Sequence, residues 1–294
     1  MPCTPSPLRY PGGKTKLYTL VRSLIETNGL IGETYIEPFA GGAGLALKLL
    51  LKNDVKRIVL NDFDPAIYAF WDCVLHEADA LCEFVETVDI SMNEWETQHN
   101  IYLNQDEHSR IELAKAVLFL NRTNVSGVIT GGVIGGKDQN GKYGIDARFN
   151  RTELARKIRL IASYKDRIDL YNLDAIDFIN TVLPHYYKVF INFDPPYVDK
   201  GGQLYKNSFT EADHEALKNC IARCRRKWMV TYDVCELVGK LYRSYRGGKV
   251  EIYYSAKDVR KAKEYIFFSD NLNVPNTIAL EEHQNDVDPE KIAI

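Results

Sequence analysis

The pattern that most constrains the fold lies between residues 33 and 65. The run ETYIEPFAGGAGLALKLLLKN has the pattern of a strand, a glycine turn and a helix, and VKRIVLNDFDP that of a second strand followed by a turn. A strand, a helix and a strand in this order form a β-α-β unit, whose two strands belong to a parallel sheet. The sequence therefore predicts an α/β fold built on such a sheet.

The same alternation continues in the second half of the chain. EADHEALKNCIARCR predicts a helix, and four apolar runs predict strands: RIDLYNLDAIDFI, YKVFINFDPPY, KWMVTYDV and KEYIFFSD. Residues 67–160 interrupt the alternation, because they are helical to about Leu120 and helical again from RTELARKIRLIASY. One insertion into the sheet fits this order better than two sequential domains. The expected division is 1–66 with 161–294 as one domain, and 67–160 as an inserted domain.

Between the helices of the insertion lies the stretch VSGVITGGVIGGKDQNGKYGIDARFN, residues 125–150. It is rich in glycine, contains β-branched pairs and has a turn signal at Asn140-Gly141. This composition predicts a β-ribbon or a long loop rather than a helix.

Charge is distributed unevenly along the insertion. Residues 68–107 contain ten Asp and Glu and no Lys or Arg, whereas residues 121–160 contain eight Lys and Arg against three acids. Such asymmetry favours one surface that binds an anion. The alternative is an ordinary solvated helix face.

Composition argues against secretion and membrane insertion. The chain has no apolar N-terminal segment and no run of 18 apolar residues. Its six cysteines form no CxxC pair, which favours core thiols in a reducing cytoplasm over a zinc site. The acidic end PNTIALEEHQNDVDPEKIAI is expected to be poorly ordered.

Residues 11–17, PGGKTKL, superficially match a phosphate-binding loop. In that loop, G-x-x-x-x-G-K-[ST], the first glycine would fall at position 8, where this chain has Leu8. The prolines of MPCTPSP also exclude the strand that would precede such a loop. A nucleotide-triphosphate site is therefore not predicted, and on its own the segment is typical of a Pro-Gly turn before a helix.

Strand ends elsewhere suggest a nucleotide-like cofactor. The glycines of residues 41–44 allow a tight turn and close approach to a ligand. Asp62 follows about 20 residues later, where an acid binds a ribose hydroxyl in nucleotide-binding units. Asp174 ends another predicted strand, where it can accept from an adenine amino group. The alternative for Asp62 is a turn or cap at Asp64-Pro65.

The run FINFDPPY, residues 190–197, is a predicted strand that ends abruptly in Asp-Pro-Pro-Tyr. Two prolines stop the strand and remove two N–H donors. Asp194 offers a carboxylate acceptor, Pro195 a carbonyl acceptor and Tyr197 a flat ring. Two acceptors beside an aromatic ring suit a planar group bearing an NH2. The alternative is a plain strand end with Tyr197 in the core.

The motifs RYPGGK, EPFAGGAG, NDFD and DPPY occur in this order, and by them the chain resembles the Dam-type, alpha-class family of N6-adenine-specific DNA methyltransferases. The resemblance implies a Rossmann-like fold, S-adenosylmethionine (SAM) as cofactor and double-stranded DNA as substrate. It implies that 1–66 and 161–294 form the SAM-binding catalytic domain. Residues 67–160 would then be a mostly helical target-recognition domain carrying a β-hairpin.

The resemblance also implies site residues, and no metal is expected among them. Residues expected to hold and methylate a flipped-out adenine are Asp194, Pro195, Pro196 and Tyr197. Residues expected around the cofactor are Tyr10, Lys14, Glu37, Phe39, Gly41, Gly42, Asp62, Asp174 and Asp194. Residues expected to bind DNA are Arg148 and Arg151 on phosphates, Arg122, Asn124 or Ser126 on base edges, and Lys137.

One stretch departs from the family pattern. Many members contain F-N-G-L-x-R-x-N in the recognition domain, whereas this chain has LFLNRTNVSGVITGGVIGG. The target sequence GATC is therefore not transferred to this chain.

Two other functions stay open on the sequence alone. One is the same chemistry on RNA or on a protein glutamine, although the glutamine enzymes favour Asn where this chain has Asp194. The other is a catalytically silent DNA-binding protein, against which the intact DPPY, Lys14 and Asp62 argue. A monomer is the expected state, with a dimer as the alternative.

Overall fold

A central sheet organises the chain in the computed structural model. The structure describes residues 4–10, 12–198, 209–255, 259–276 and 281–282, with the backbone alone for 251–255, 259–262 and 281–282. The strands are β1 (Thr34–Glu37), β2 (Arg57–Asn61), β3 (Ile168–Tyr171), β4 (Val189–Phe193), β5 (Lys227–Asp233), β6 (Gly247–Ser255), β7 (Val259–Phe268) and β8 (Glu281–Glu282).

The strands lie side by side in the order β3-β2-β1-β4-β5-β7-β6-β8. The first five are parallel, and β7, β6 and β8 extend the sheet in antiparallel fashion. This order confirms the α/β prediction and is that of a doubly wound, Rossmann-like sheet. The four strands predicted in the second half correspond to β3, β4, β5 and β7. β6 had no predicted counterpart, since its sequence GGKVEIYYS opens with two glycines.

Parallel pairing brings the carboxyl ends of β1 to β5 to one edge of the sheet. Chain order reverses between β1 and β4, because β2 and β3 lie on one side of β1 while β4 and β5 lie on the other. Ligands bind α/β sheets at such a reversal, outside the carboxyl ends of the strands. The glycine turn after β1, NDFD after β2 and DPPY after β4 therefore converge on the place where a ligand is expected.

Helices cover both faces of the sheet. They are α1 (Tyr18–Thr27), α2 (Gly44–Leu51), α3 (Pro65–His76), α4 (Ala78–Thr87), α5 (Met92–Leu103), α6 (Arg110–Thr123), α7 (Arg151–Ala162), α8 (Ala175–Asp177, continuing as a π-helical turn Phe178–Val182), α9 (Glu211–Ala222) and α10 (Glu236–Leu241). The helix predicted after PGGK is confirmed, with a 3₁₀ turn over Lys14–Leu17 preceding α1.

Helices α3 to α7 lie within residues 65–162, which include the predicted insertion. Their apolar side chains form one continuous core with the adjacent sheet face, so that Phe119 of α6 belongs to the same buried cluster as Ile58 of β2 and Leu24 of α1. A second buried cluster, which includes Ile191 and Trp228, lies on the other face. The helices of the predicted insertion therefore share a core with the sheet rather than forming a separate one.

The predicted β-hairpin of the insertion is wrong. Residues 125–150 contain short 3₁₀ turns at Val125–Gly127 and Ile145–Arg148, and only a single bridge, Asn124 to Val133, pairs in antiparallel fashion. The reason is left-handed backbone, which interrupts an extended strand: φ is positive at Ser126, Gly127, Gly135, Gly136 and Gln139. The longer segment 121–151, which includes the last residues of α6 and the first residue of α7, is called the glycine loop below.

Two further observations concern the outer parts of the chain. The acidic end, residues 275–294, is expected to be poorly ordered. Apart from 275–276 and the backbone of 281–282, these residues lie outside the described part of the structure. Across the described residues, every helix is too short or too polar to span a bilayer.

Candidate active site

Asp194 follows β4 directly and has one of its carboxylate oxygens fixed. Its Oδ1 accepts hydrogen bonds from Thr231 Oγ1 at 2.7 Å and from Lys14 Nζ at 2.9 Å. None of the described residues hydrogen-bonds to Oδ2, and the side chain is 21% exposed. One oxygen of the carboxylate is therefore fixed by hydrogen bonds, while the second remains available as an acceptor. Pro195, next in the chain, is buried, and Pro196 is half-buried.

Lys14 is nearly buried and its three N–H donors are all used. They reach Gly12 O at 2.9 Å, Tyr197 Oη at 2.7 Å and Asp194 Oδ1 at 2.9 Å. An ammonium has three donors, so none is left for a phosphate or a cofactor. Gly12 permits this arrangement because its φ of +77° is strained for any other residue. The lysine behind the two glycines therefore clamps the DPPY segment.

Glu264 of β7 is a fourth member of this cluster, and the sequence analysis missed it. Its Oε1 accepts a hydrogen bond from Tyr197 Oη at 2.6 Å, and its Oε2 lies 3.7 Å from Lys14 Nζ. The residue is 2% exposed and pairs across the sheet with Asp233 of β5. A glutamate within the apolar run KEYIFF was the available signal, because buried carboxylates without a partner are rare.

The charges in this cluster shift one another. Burial raises the pKa of Asp194 above its ordinary value; Lys14 opposes this effect and the negative Glu264 adds to it. Burial lowers the pKa of Lys14, but the attraction of Asp194 and Glu264 outweighs that effect and the pKa is raised. Lys14 is therefore a permanent cation between two carboxylates.

The glycine turn after β1 packs against the N-terminal motif. A side chain at Gly41 or Gly42 would meet atoms of Tyr10 at 2.6–2.7 Å, so the Tyr10 ring lies directly on the turn. Trp71 of α3 fixes the turn from another side, donating from Nε1 to Gly41 O at 2.8 Å. The two glycines therefore make room for Tyr10, which with the turn lines the edge of the sheet formed by the carboxyl ends of β1 to β5.

Asp62 is positioned by backbone donors at the end of β2. Its Oδ2 accepts from Gly41 N at 2.7 Å and its Oδ1 from Asp64 N at 3.0 Å. Burial raises its pKa to about 7, while the residue keeps part of its surface open to a ligand. Phe63, the next residue, is 54% exposed, which is unusual for a large aromatic side chain. A carboxyl group and an open ring thus stand together beside the glycine turn.

The loops after β1, β2 and β3 are joined by a residue that the sequence analysis overlooked. Asn61, fully buried, donates to Pro38 O and to Leu173 O at 3.0 Å, and its Oδ1 accepts from Leu173 N. Asp174 follows at once and accepts from Ile176 N at 2.8 Å, so that it begins α8. Asn61 therefore keeps the Asp62 and Asp174 loops in register at the ligand edge.

Glu37 and Phe39 flank the start of the glycine turn. Glu37 is 5% exposed and accepts from Tyr35 Oη at 3.0 Å, and burial raises its pKa to about 8. Phe39 meets Phe209 edge to face, with ring centroids 6.2 Å apart. The raised pKa favours the protonated form of Glu37 at neutral pH.

The six predicted DNA-binding residues fall into two groups. Three are engaged within the protein. Asn124 is fully buried and hydrogen-bonds to Trp95, Val128 and Ile129. Arg122 donates to the carbonyls of Arg148 and Pro7. Arg151 donates to the carbonyls of Val85 and Val88 at the end of α4. The other three, Ser126, Lys137 and Arg148, keep exposed surface.

The glycine loop lies against the N-terminal motif. Asn121 Oδ1 accepts from Arg9 N at 2.7 Å, and its Nδ2 donates to Arg9 O and Gly127 O, both at 2.8 Å. A side chain at Gly127 would approach Arg9 O to 2.3 Å. The predicted DNA-binding segment and the motif beside Asp194 are thus in direct contact.

Comparisons with known proteins agree on a methyltransferase. A family model described as D12 class N6 adenine-specific DNA methyltransferase matches residues 10–261. The type II methyltransferase M.MjaIII of Methanocaldococcus jannaschii is 22% identical over 225 residues, which cover 70% of this chain and 73% of that protein.

Solved structures with a detectable likeness were also found. A putative RNA methyltransferase of Pyrococcus horikoshii aligns with a TM-score of 0.41 at 12% identity, covering 89% of this chain and 84% of that one. M. capricolum TrmK, solved with S-adenosyl-homocysteine, aligns with a TM-score of 0.35 at 9% identity, covering 86% and 67%.

Proposed function

Because the chain belongs to the D12 class N6 adenine-specific DNA methyltransferase family, we propose that it transfers a methyl group from SAM to N6 of an adenine in double-stranded DNA. The observation that supports this most directly is the state of Asp194, whose Oδ1 is locked by Lys14 and Thr231 while Oδ2 remains available. A fixed acceptor of this kind, beside a proline carbonyl and a tyrosine ring, suits an aromatic amino group.

The residues at the ligand edge fit SAM. Asp62, held by two backbone N–H groups, keeps carboxylate lone pairs for a ribose diol, and the open ring of Phe63 offers a face for the adenine of the cofactor. Asp174 is the proposed acceptor for its amino group. Lys14, Asp194 and Glu264 carry a formal charge of −1 together, which complements a sulfonium. SAM, when bound, supplies an electrophilic methyl group.

The role of the DPPY segment follows from the weak nucleophilicity of N6, whose lone pair is conjugated into the adenine ring. Asp194 Oδ2 and the carbonyl of Pro195 accept the two N6 hydrogens, which directs the lone pair toward the methyl group. SAM would supply the methyl group, and N6, once methylated, would have to lose a proton. Asp194 Oδ2, which already accepts that hydrogen, takes it, and its raised pKa favours the transfer.

The target adenine must leave the duplex to reach this site. The Tyr197 ring then stacks on the flipped base, a contact worth about 1–3 kcal/mol in other nucleic-acid complexes. Tyr197 Oη is fixed by Lys14 and Glu264, so the ring stays in one orientation before the base arrives. This preorganisation lowers the entropy that base binding must overcome.

DNA recognition is proposed for residues 67–160, with 1–66 and 161–294 as the catalytic domain. Within the glycine loop we assign DNA contacts to Lys137 and Arg148 on phosphates, because both are exposed, and to Ser126 on a base edge, because it is only half-buried. Asn124, Arg122 and Arg151 instead hold the loop and the end of α4 in shape, as their internal hydrogen bonds indicate.

The test uses methyl-labelled SAM with duplex DNA, single-stranded DNA, RNA and a glutamine-containing protein as competing substrates. We expect N6-methyladenine in duplex DNA, and we expect Asp194→Ala to lower the rate by about 100-fold or more. SAM affinity should stay within about tenfold, because the carboxylate serves the target amine. Asp89→Ala, at an exposed carboxylate after α4, is the control. Preferred methylation of RNA or of glutamine, or full activity of Asp194→Ala, would contradict the proposal.

A further inference from the structure

Glu264 stands out as a buried carboxylate outside every motif of the chain. It lies within β7 at 2% exposure, between the register partners Asp233 of β5 and Val250 of β6. A carboxylate in such a place loses its hydration, and removing a charge from water is unfavourable unless the charge gains partners. Lys14 already has Asp194 as a counter-ion at 2.9 Å. Glu264 is therefore not needed to balance the charge of Lys14.

What Glu264 adds is a fixed partner for Tyr197. The tyrosine Oη accepts from Lys14 Nζ at 2.7 Å and donates to Glu264 Oε1 at 2.6 Å, so both its acceptor and its donor function are used. Glu264 Oε2 lies 3.7 Å from the same Lys14 Nζ. The result is a chain of contacts, Asp194–Lys14–Tyr197–Glu264, that joins the N-terminal motif, DPPY and the antiparallel part of the sheet.

We propose that Glu264 is a positioning residue for methyl transfer, acting on the target base through Tyr197 and Lys14; this rests on the function proposed above. It fixes the Tyr197 hydroxyl, and with it the ring on which the flipped adenine stacks. It also holds Lys14 against Asp194 Oδ1, so that Oδ2 keeps one orientation toward N6. Reacting groups held by such a supporting contact lose rate steeply when they shift by a fraction of an ångström.

The experiment is a double-mutant cycle on the full chain, with Glu264→Gln, Tyr197→Phe and the pair. Glu264→Gln keeps the shape and removes the charge. We expect each single variant to lower kcat by about ten- to a hundredfold, with KM for DNA and Kd for SAM changed by less than about threefold. Because the two residues share the Tyr197–Glu264 hydrogen bond, the loss of kcat in the pair should be smaller than the product of the two single losses by about tenfold or more.

The matched control is Glu33→Gln, at a carboxylate that also contacts two lysines, Lys56 at 3.0 Å and Lys188 at 3.6 Å, near the opposite edge of the sheet. It should retain wild-type kcat. If Glu264→Gln melts below the assay temperature, Glu264→Asp replaces it in the cycle with the same expected non-additivity.

The outcomes separate the two proposals. An active wild type with an unaffected Glu264→Gln, or with losses that multiply in the pair, overturns the role of Glu264 and leaves the methyltransferase assignment intact. A wild type that methylates none of the offered substrates overturns both.

Discussion

At the scale of single residues, the ring and the hydroxyl of Tyr197 have different roles in the site. The ring of Tyr197 is the part that the DPPY motif predicts, whereas its hydroxyl is engaged by Lys14 and Glu264 from distant parts of the sequence. A tyrosine that only stacked would be replaced by phenylalanine without loss. Here the phenylalanine would remove the hydrogen bond that Tyr197 Oη donates to the buried Glu264 carboxylate, so the hydroxyl contributes to the geometry and the ring to the proposed binding of the base.

Glu37 gives a residue-scale prediction about pH. Burial raises its pKa from 4.5 to about 8, so between these values the folded chain keeps a proton that the unfolded chain has released. The free energy of unfolding must therefore fall as pH rises through this window. Glu37→Gln cannot ionise, and we expect it to gain stability relative to wild type as pH rises from about 5 to about 8. Asp62, whose pKa is raised to about 7, acts in the same direction in both proteins and cancels in the difference.

Urea unfolding of both proteins at the two pH values provides the measurement. Glu83→Gln, at an exposed carboxylate of α4, is the control and should follow wild type at both. Parallel pH dependences for wild type and Glu37→Gln would show that Glu37 is not held protonated.

At the scale of elements, the glycine loop presents a basic and aromatic surface. Tyr143 is 54% exposed, and Lys142 Nζ and Arg148 Cζ lie 5.6 and 5.8 Å from its ring centroid. We expect Arg148→Ala to weaken binding to all duplex sequences alike and to lower the slope of log affinity against log salt by about one. The backbone carbonyl that Arg122 uses is unchanged in this variant.

The measurement is fluorescence anisotropy of a labelled duplex at several salt concentrations. Arg156→Ala is the matched control, because Arg156 is an exposed arginine of α7 paired with Glu153 at 2.8 Å. Its slope should equal that of wild type. An unchanged slope in Arg148→Ala would remove this arginine from the phosphate contacts.

Elements also show what the sequence can and cannot predict. Strands that are buried at every residue, such as β1 and β4, were predicted because burial on both faces favours β-branched and aromatic residues, which leave a local signal. The hairpin predicted for the glycine loop was wrong. Glycine and β-branched residues are typical of a hairpin, and the sequence does not reveal which of these residues have a positive φ. The apolar run around Glu264 signals that this carboxylate is buried, but it does not identify its partners, because they lie in other strands and loops and depend on the register of β5 with β7.

At the scale of the whole molecule, the proposed catalytic and recognition segments meet at one side chain. Asn121 of α6 is fully buried and makes three hydrogen bonds, two to the backbone of Arg9 and one to Gly127 O. Arg9 precedes Tyr10, which lies on the glycine turn, and Gly127 belongs to the glycine loop. A change at Asn121 therefore reaches the proposed cofactor pocket and the proposed DNA surface together.

Asn121→Ala tests this connection. Losing the amide removes the partner of two partly buried backbone groups of Arg9 and of the buried carbonyl of Gly127, and an unpaired buried group costs about 1–3 kcal/mol. We expect lower thermal stability together with weaker binding of both SAM and DNA, measured by calorimetry and anisotropy. Asp62→Ala should weaken SAM binding alone, and Arg148→Ala DNA binding alone. Asn104→Ala, at an exposed asparagine that bonds to Asn100 O after α5, is the matched control. If Asn121→Ala weakens only one ligand, the two segments act independently, and the contact through Arg9 serves the fold rather than the coupling of cofactor and DNA.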